Sequence, residues 1–274
     1  MTALAFDSFI REPTLFEAEI QKYSAHGLDD LKRAQLMNRI DTKFVVPTAV
    51  LPALLEQLRP HFSVLEIGNK RLSQYESTYF DTSEYYFYHQ HHRGRLNRFK
   101  VRFREYVDTQ TRFLEVKFKN NKKRTAKNRV AIKEDGLFDI RNHEDFLREL
   151  NVPQCHRLEP KLVNRYQRIA LASEARAERL TIDINLENTV GSEYGQVALG
   201  DFAILELKQE KLTRNSVAFD VIRKLNLRPR GFSKYCMGLV MTLDSNEIKT
   251  NRFKKNARHI QLPTKEIDVQ TCLA

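Results

Sequence analysis

The sequence predicts an α+β fold that is mainly antiparallel β, closed into a tunnel barrel of about eight strands with flanking helices. Two neighbouring segments, 96–106 and 112–119, alternate strictly between charged and apolar residues and are joined by a short polar connection. This pattern is typical of a β-hairpin with one charged face. A large number of antiparallel strands with few helices favours closure of the sheet, because closure removes exposed strand edges.

Periodicity and turn residues divide the rest of the chain into strands and short helices. Apolar residues at helical spacing predict a helical segment over 14–36, and further helices are predicted at 47–58, 142–150, 214–226 and 233–243. A period of two begins at Asn38, so the first strand covers 38–44. The other predicted strands are 62–67, 71–81, 124–134, 160–172, 179–186 and 202–208.

Three parts follow from this pattern. Residues 1–36 form an N-terminal helical segment that is expected to plug or cover the barrel, 37–244 form the barrel domain, and 245–274 form a polar, loosely held tail. The N-terminus lacks a basic targeting segment, and no apolar run reaches the roughly 18 residues that a membrane span needs. We therefore expect a cytoplasmic protein without a membrane span.

The composition describes a folded and strongly basic protein. Of its 274 residues 41% are hydrophobic, and the formal net charge is +11 at pH 7. A charge of this sign indicates an anionic partner, which is nucleic acid, a membrane surface or a small polyphosphate. Cys155, Cys236 and Cys272 are odd in number and far apart, which disfavours a disulfide framework or a zinc site.

Charged residues line one face of several predicted strands. A solvated outer face would explain one such strand, but the pattern recurs and even places charges in the apolar run 203–208. In a closed barrel the apolar faces pack outward and the charged faces point into a tunnel, where a polyanion must neutralise them. The residues concerned are Arg39, Asp41, Lys43, Arg98, Lys100, Arg102, Arg104, Glu115, Lys117, Lys119, Arg168, Glu206 and Lys208.

Acidic residues among these cations are candidate ligands of a divalent metal that bridges phosphate oxygens. Glu206 is the preferred ligand. For Asp41, Glu115 and Asp183, an internal salt bridge is at least as good an explanation.

Two further groups of polar residues lie outside this pattern. Ser233 and Lys234 open the last predicted helix, where Ser233 either acts as a simple N-cap or meets an anion together with Lys234. His89, His91 and His92 follow an aromatic run, and we expect them to be surface or loop residues near the tunnel mouth.

Eight short segments, taken jointly and in this order, resemble the VTC domain, the polyphosphate polymerase domain of the triphosphate tunnel metalloenzyme (CYTH-like) superfamily. The resemblance covers about residues 35 to 243. The segments are 38–44 (NRIDTKF), 77–82 (STYFDT), 100–104 (KVRFR), 114–117 (LEVK), 166–168 (YQR), 180–183 (LTID), 205–208 (LELK) and 232–235 (FSKY).

Together with the alternating pattern, the resemblance implies roles for specific residues. Glu206 is expected to hold Mn²⁺ or Mg²⁺ as the cofactor. The expected catalytic residues are Arg102, Arg104, Lys117, Arg168 and Lys234, and the expected phosphate-binding residues are Lys43, Arg39, Lys100, Lys208 and Ser233. Two departures from the family pattern stand out. Arg39, Asp41 and Lys43 occupy the place of an ExExK strand, and Gly231 replaces an expected base that Arg230 is placed to offset.

The resemblance implies a metal-dependent phosphotransferase that extends inorganic polyphosphate from the γ-phosphate of ATP. Two alternatives stay open: a triphosphate or polyphosphate hydrolase, and a non-catalytic sensor of polyphosphate or inositol phosphates. ATP and polyphosphate are the expected partners, and duplex nucleic acid is not, because no nucleic-acid-binding motif is present. Any coupling of synthesis to translocation is expected to require a membrane or regulatory partner protein.

Overall fold

The described part of the chain forms eleven strands and seven α-helices, which confirms the predicted mainly antiparallel α+β class. The computed structural model describes residues 14–30, 40–122, 124–132, 139–191, 196–198, 200–210 and 216–261. The strands are β1 (Ala25–His26), β2 (Ile40–Pro47), β3 (Ser63–Leu65), β4 (Ser73–Asp81), β5 (Arg98–Tyr106), β6 (Thr111–Lys119), β7 (Thr125–Ile132), β8 (Glu159–Ser173), β9 (Glu178–Thr189), β10 (Gln196–Ala198) and β11 (Phe202–Gln209).

The helices are short and flank the sheet. Four of the predicted helices are confirmed, and each of their ends lies within four residues of the predicted end. A helix that the sequence did not predict follows β4. The helices are α1 (Leu15–Gln21), α2 (Leu51–Leu58), α3 (Tyr86–His92), α4 (Glu144–Glu149), α5 (Val217–Lys224), α6 (Lys234–Thr242) and α7 (Lys254–Gln261). No helix among these is long and apolar enough to cross a membrane.

One sheet contains all the strands, but its predicted closure into a barrel is not confirmed. The hydrogen-bonded order is β2-β11-β9-β8-β4-β5-β6-β7, with β10 beside β9, β3 beside β8 and β1 beside β3. Within the described residues, β2 and β7 are the two ends of this order and no ladder joins them. The sheet is nevertheless curved, since Lys100 on β5 and Lys43 on β2, which have four strands between them in this order, both bond to the loop that ends at Ser233.

A loop, rather than β7, covers part of the free edge of β2. The N–H of Arg230 donates to the carbonyl of Lys43 at 2.7 Å, and Pro229 forms an isolated bridge with Phe44. The side chain of Ser233, at the end of the same loop, accepts a hydrogen bond from Lys100 on β5 at 2.7 Å. The loop 229–233 therefore links the two sides of the curved sheet.

The outward face of the sheet carries the apolar residues that the alternation predicts. On β9 and β11, Leu180, Ile182 and Leu205 are buried against α1, α2 and α5. On β5 and β6, Val101 and Leu114 pack in a separate cluster with Leu147 and its neighbours around α4. Because side chains alternate along each strand, the charged residues are left on the opposite, concave face.

Helix α6 packs into one end of the concave face. Inward positions there are apolar rather than charged, and Val45, Leu162 and Ile204 pack with Leu239 of α6. A Cβ on Gly238 would lie 2.5 Å from the side chain of Leu162, so only glycine permits this close approach of helix and sheet. The helix thereby brings its first residues, Ser233 and Lys234, to the charged part of the concave face.

Both terminal segments differ from their predictions. Helix α1 covers only part of the predicted 14–36 helix and packs against α2, where the Tyr23 hydroxyl donates to the Leu55 carbonyl at 2.5 Å. This described part therefore lies outside the concave face and does not plug it. At the other end, residues 248–260 are not a loose tail, because Ile248, Phe253 and Ile260 are buried in the same cluster as α6. The rest of both segments lies outside the described residues.

Candidate functional site

The concave face collects ten of the eleven site residues that the sequence predicts. Strands β2, β5, β6, β8 and β11 and the start of α6 supply them, and the eleventh, Arg39, lies outside the described residues. Strand register places them opposite one another, for example Lys43 beside Glu206 and Lys100 beside Lys117. The residues brought together are Lys43, Lys100, Arg102, Arg104, Lys117, Arg168, Glu206, Lys208, Ser233 and Lys234.

Asp183 lies at the centre of the first of three charged groups. Its carboxylate accepts two hydrogen bonds from Arg168, at 2.5 and 2.9 Å, and one from Lys234. Its side chain is only 4% exposed. Burial opposes ionisation, but Arg168 and Lys234 outweigh it and hold the pKa of Asp183 well below its usual range. The internal salt bridge expected for Asp183 is thus present.

Glu115 organises the second group, and its predicted salt bridge is also present. Its Oε2 accepts from the Nε and Nη2 of Arg102 at 2.8 and 2.5 Å, and Arg104 lies 3.7 Å away. Arg102 also donates to the Tyr79 hydroxyl at 3.1 Å. Burial favours the neutral guanidinium, but Tyr79 and Glu115 raise the pKa of Arg102 above its ordinary value, so it stays charged.

Glu206 forms the third group with looser contacts. Its oxygens lie 3.5 Å from Lys43 Nζ and 3.4 Å from Lys208 Nζ, longer than the hydrogen bonds that Asp183 accepts from Arg168 and that Glu115 accepts from Arg102. Burial opposes the charged carboxylate, yet Lys43 and Lys208 hold its pKa well below the usual range. Glu206 is therefore an ionised carboxylate whose oxygens are the least tightly bound of the three.

Four lysines of the concave face have lowered pKa values. Burial, reinforced by neighbouring cations, lowers the pKa of Lys117 to about 7. Burial also lowers the pKa values of Lys100, Lys208 and Lys234 to about 8. The acids present do not neutralise the cations around these lysines, so the site favours an added anion.

Ser233 caps α6, as one of the two predictions for it stated. Its hydroxyl oxygen accepts from the N–H of Cys236 at 3.3 Å while Lys100 donates to the same oxygen. Arg230, expected to offset the missing base at Gly231, instead donates to Asn256 of α7 at 3.3 Å. The described contacts of the Arg230 guanidinium therefore do not include the charged groups of the concave face.

The donor set at Glu206 fits a divalent metal that also binds phosphate. Mg²⁺ is usually held by one or two carboxylates, with water and substrate phosphates as the other ligands. Glu206 offers one carboxylate with loose protein contacts, which suits that arrangement. A second group of possible ligands, Glu144, Cys155 and His156, lies around α4 and away from these strands. There Glu144 already pairs with Arg148 at 2.7 Å.

Aromatic rings under the cations are a feature that the sequence interpretation missed. Arg168 lies 5.0 Å from the ring centroid of Tyr75, and Lys234 lies 4.3 Å from that of Tyr166. Tyr79 lies under Arg102 at 5.7 Å. Alternation within β4 places Tyr75 and Tyr79 on one face, so the same rule that found the cations could have found these tyrosines.

The helix that carries the histidines was also missed in the sequence interpretation. His89, His91 and His92 lie on α3 rather than in a loop. His91 stacks on Phe253 with ring centroids 5.7 Å apart. The aromatic run before them forms the first turn of α3, where Asp81 accepts hydrogen bonds from the N–H groups of Phe87 and Tyr88.

The fold and site define a basic, antiparallel domain whose concave face is built around three ion-paired carboxylates. The family model of the VTC domain matches residues 38–243, three quarters of the chain, and the chain belongs to this family. The match confirms the resemblance that the eight segments indicated. A search of curated protein sequences found no match.

Several solved structures are similar in fold at low sequence identity. A candidate adenylate cyclase from Bacillus halodurans is 14% identical, with a TM-score of 0.49, over 79% of this chain and 97% of that one. One from Vibrio parahaemolyticus is 13% identical, with a TM-score of 0.42, over 74% and 98%. A candidate adenylyl cyclase from Hippeastrum, described as having a dominant triphosphatase activity, is 14% identical, with a TM-score of 0.44, over 75% and 97%.

Proposed function

We propose that this protein is a metal-dependent phosphotransferase that extends inorganic polyphosphate from the γ-phosphate of ATP. The observation that carries the proposal is the excess of partly buried cations on the concave face, where eight Lys and Arg side chains surround three carboxylates. Such an excess is costly without an anion. Membership of the VTC domain family supports polyphosphate as that anion.

The cations have distinct roles in this proposal. Arg102, Arg104 and Arg168 present forked donors that match phosphate oxygens, while Lys117 and Lys234 supply point charges. Phosphoryl transfer needs little covalent chemistry from a protein, so positioning and charge neutralisation provide most of the rate enhancement. Losing one contact of this kind should cost about 2–4 kcal/mol of transition-state stabilisation.

Substrate binding and metal binding share the rest of the face. Lys43, Lys100, Lys208 and Ser233 bind phosphate groups of the donor or of the chain, and we assign the same role to Arg39. Glu206 holds the divalent ion, Mn²⁺ or Mg²⁺, which when bound neutralises charge on the transferred phosphate. The bond between the γ-phosphorus and the β–γ bridging oxygen breaks, a bond to a terminal oxygen of the chain forms, and ADP leaves.

One observation favours a second candidate, a sensor that binds polyphosphate or inositol phosphates without turnover. The family base expected at position 231 is a glycine, and Arg230 contacts Asn256 rather than the concave face. Hydrolysis is a third outcome, in which water takes the place of the acceptor phosphate at the same site. The following experiment separates the three.

Incubation of the purified chain with ATP and Mn²⁺, with and without a short polyphosphate primer, tests the proposal. We expect one ADP for each phosphate added to the chains, and we expect an Arg102→Ala variant to lose both ADP formation and chain growth because it removes a donor paired with Glu115. Arg165→Ala is the matched control, since Arg165 pairs with Glu76 on the outward face. Free phosphate without chain growth would indicate a hydrolase, and binding without turnover a sensor.

Binding of polyphosphate should be accompanied by proton uptake. A bound anion raises the pKa of each nearby lysine, and Lys117 and Lys100 begin from about 7 and about 8. Between these two pKa values, Lys117 and Lys100 are only partly protonated in the free protein. The affinity for polyphosphate should therefore fall as the pH rises through this range. Calorimetry in buffers of different ionisation enthalpy measures the uptake.

A lysine variant provides the control for this measurement. Lys117→Met should take up fewer protons than the wild type, whereas Lys122→Met, at an exposed turn position, should not differ from it. Equal uptake by the wild type and Lys117→Met would contradict the assignment, because the protons would then be taken up by groups other than Lys117.

A further inference from the structure

A second group of basic side chains lies beside the site already described. Arg98 begins β5, two residues before Lys100, and Arg252 lies in the turn before α7. Both act electrostatically on His91 of α3, as do Lys100 and Lys119. Lys100 in turn is affected by Arg102 and Lys43, so this group is continuous with the cations of the concave face.

The position of Arg252 depends on a glycine in the α3–β5 connection. Gly94 has a φ of +73°, and a Cβ built on it would lie 2.5 Å from the Arg252 guanidinium. The guanidinium also donates to the His92 carbonyl at 3.3 Å. Gly94 thus combines a left-handed backbone with open space for the guanidinium of Arg252, an exposed residue whose side chain lies against this glycine.

The charges in this group are not balanced by acids. Among the residues that the structure describes, no carboxylate pairs with Arg98, Lys100 or Arg252, and Arg98 donates to a backbone carbonyl, that of Arg95, at 2.6 Å. Burial and the surrounding cations keep the pKa of His91 far below neutral pH, at about 2. Its buried Nδ1 has no hydrogen-bond partner within the described part of the chain.

We propose that Arg98 and Arg252, together with Lys100, form a second phosphate subsite that binds a polyphosphate chain beyond the groups held near Glu206 and Asp183. This inference rests on the proposed function, because it takes polyphosphate as the ligand. The two arginines and Lys100 supply charge-assisted donors to phosphate oxygens. The subsite selects long chains over triphosphate. Arg252 and Phe253, which stacks on His91, lie C-terminal to the family match at 38–243.

Comparison of two ligands tests the subsite. Metal-free binding of inorganic triphosphate and of a polyphosphate of several tens of phosphates is measured for the full chain and for Arg98→Gln/Arg252→Gln. The double variant should lose about tenfold or more in affinity for the long chain and change by no more than about twofold for triphosphate. Arg223→Gln/Lys224→Gln removes the same charge from exposed positions on α5 and should leave both affinities near wild type.

The outcomes separate the subsite from the proposed function. Unchanged long-chain affinity in the Arg98/Arg252 variant, or an equal loss for both ligands, would overturn the subsite while wild-type binding still supported the proposed function. A wild type that binds neither ligand would overturn both. Thermal unfolding of each variant accompanies the binding data, and a melting temperature equal to that of the wild type excludes misfolding as the cause of a selective loss.

Discussion

Replacing Glu206 by glutamine is expected to lower the Mn²⁺-dependent turnover by about 10²–10³-fold while leaving the fold intact. Glutamine keeps the size of the side chain but cannot supply the anionic ligand assigned to the metal. The variant should also bind polyphosphate more tightly than the wild type when metal is absent, because Lys43 and Lys208 then lose a competing carboxylate 3.5 and 3.4 Å away. Steady-state kinetics with a metal titration and metal-free binding measure the two effects.

The opposite signs of these two effects make the test specific. A variant that was merely damaged would lose turnover and metal-free binding together. Glu76→Gln is the matched control, because Glu76 pairs with Arg165 at 2.7 Å on the outward face and should leave both quantities unchanged. If Glu206→Gln retained its response to Mn²⁺, the metal would have to be held elsewhere, and the assignment of Glu206 would be wrong.

Strand alternation was sufficient to predict which side chains share the concave face. A period of two is a local property, so Lys100, Arg102 and Arg104 could be placed on one side of β5 without knowing which strand lies next to it. The apolar residues between them are buried on the outward face, as this rule requires. The family resemblance then selected nearly the same cations from independent information, the order of short segments along the chain.

Long-range features could not be predicted in the same way. The sequence favoured a closed barrel, but in the described residues the edge of β2 bonds with Arg230, a loop residue nearly 190 positions away. No local pattern encodes that contact. The packing of α7 was missed for a similar reason: its apolar residues Ala257 and Ile260 are few, and they become buried only because α6 offers a surface for them.

The partners of the acids also depended on tertiary structure. The sequence left open whether Glu115, Asp183 and Glu206 bind metal or form internal salt bridges. Cross-strand register decides this for Glu115, which lies directly opposite Arg102, and for Asp183, opposite Arg168. Glu206 also faces a cation, Lys43, but at a longer distance. The three acids therefore differ in how much of their charge is available to a ligand, and this difference leads to separate expectations for their substitution.

Replacing Asp183 by asparagine is expected to destabilise the protein by about 3–5 kcal/mol, the usual cost of removing one partner from a buried ion pair. Arg168 and Lys234, with side chains only 14% and 12% exposed, would be left without their shared carboxylate. Polyphosphate should restore much of the lost stability, because its oxygens replace the missing charge and because a ligand stabilises the state that binds it. Denaturant unfolding with and without polyphosphate measures both effects.

The control for this prediction is an ion pair in a different environment. Asp220→Asn on α5 removes a carboxylate that is 44% exposed and lies 3.4 Å from Arg223, so it should cost less than about 1 kcal/mol and respond no more to polyphosphate than the wild type does. A large destabilisation of the Asp183 variant that polyphosphate failed to reduce would mean that the anion does not reach Arg168 and Lys234. Recovery confined to the Asp183 variant would instead support Arg168 and Lys234 as ligands of the polyphosphate chain. These two cations would then be neutralised by a carboxylate in the free protein and by phosphate in the complex.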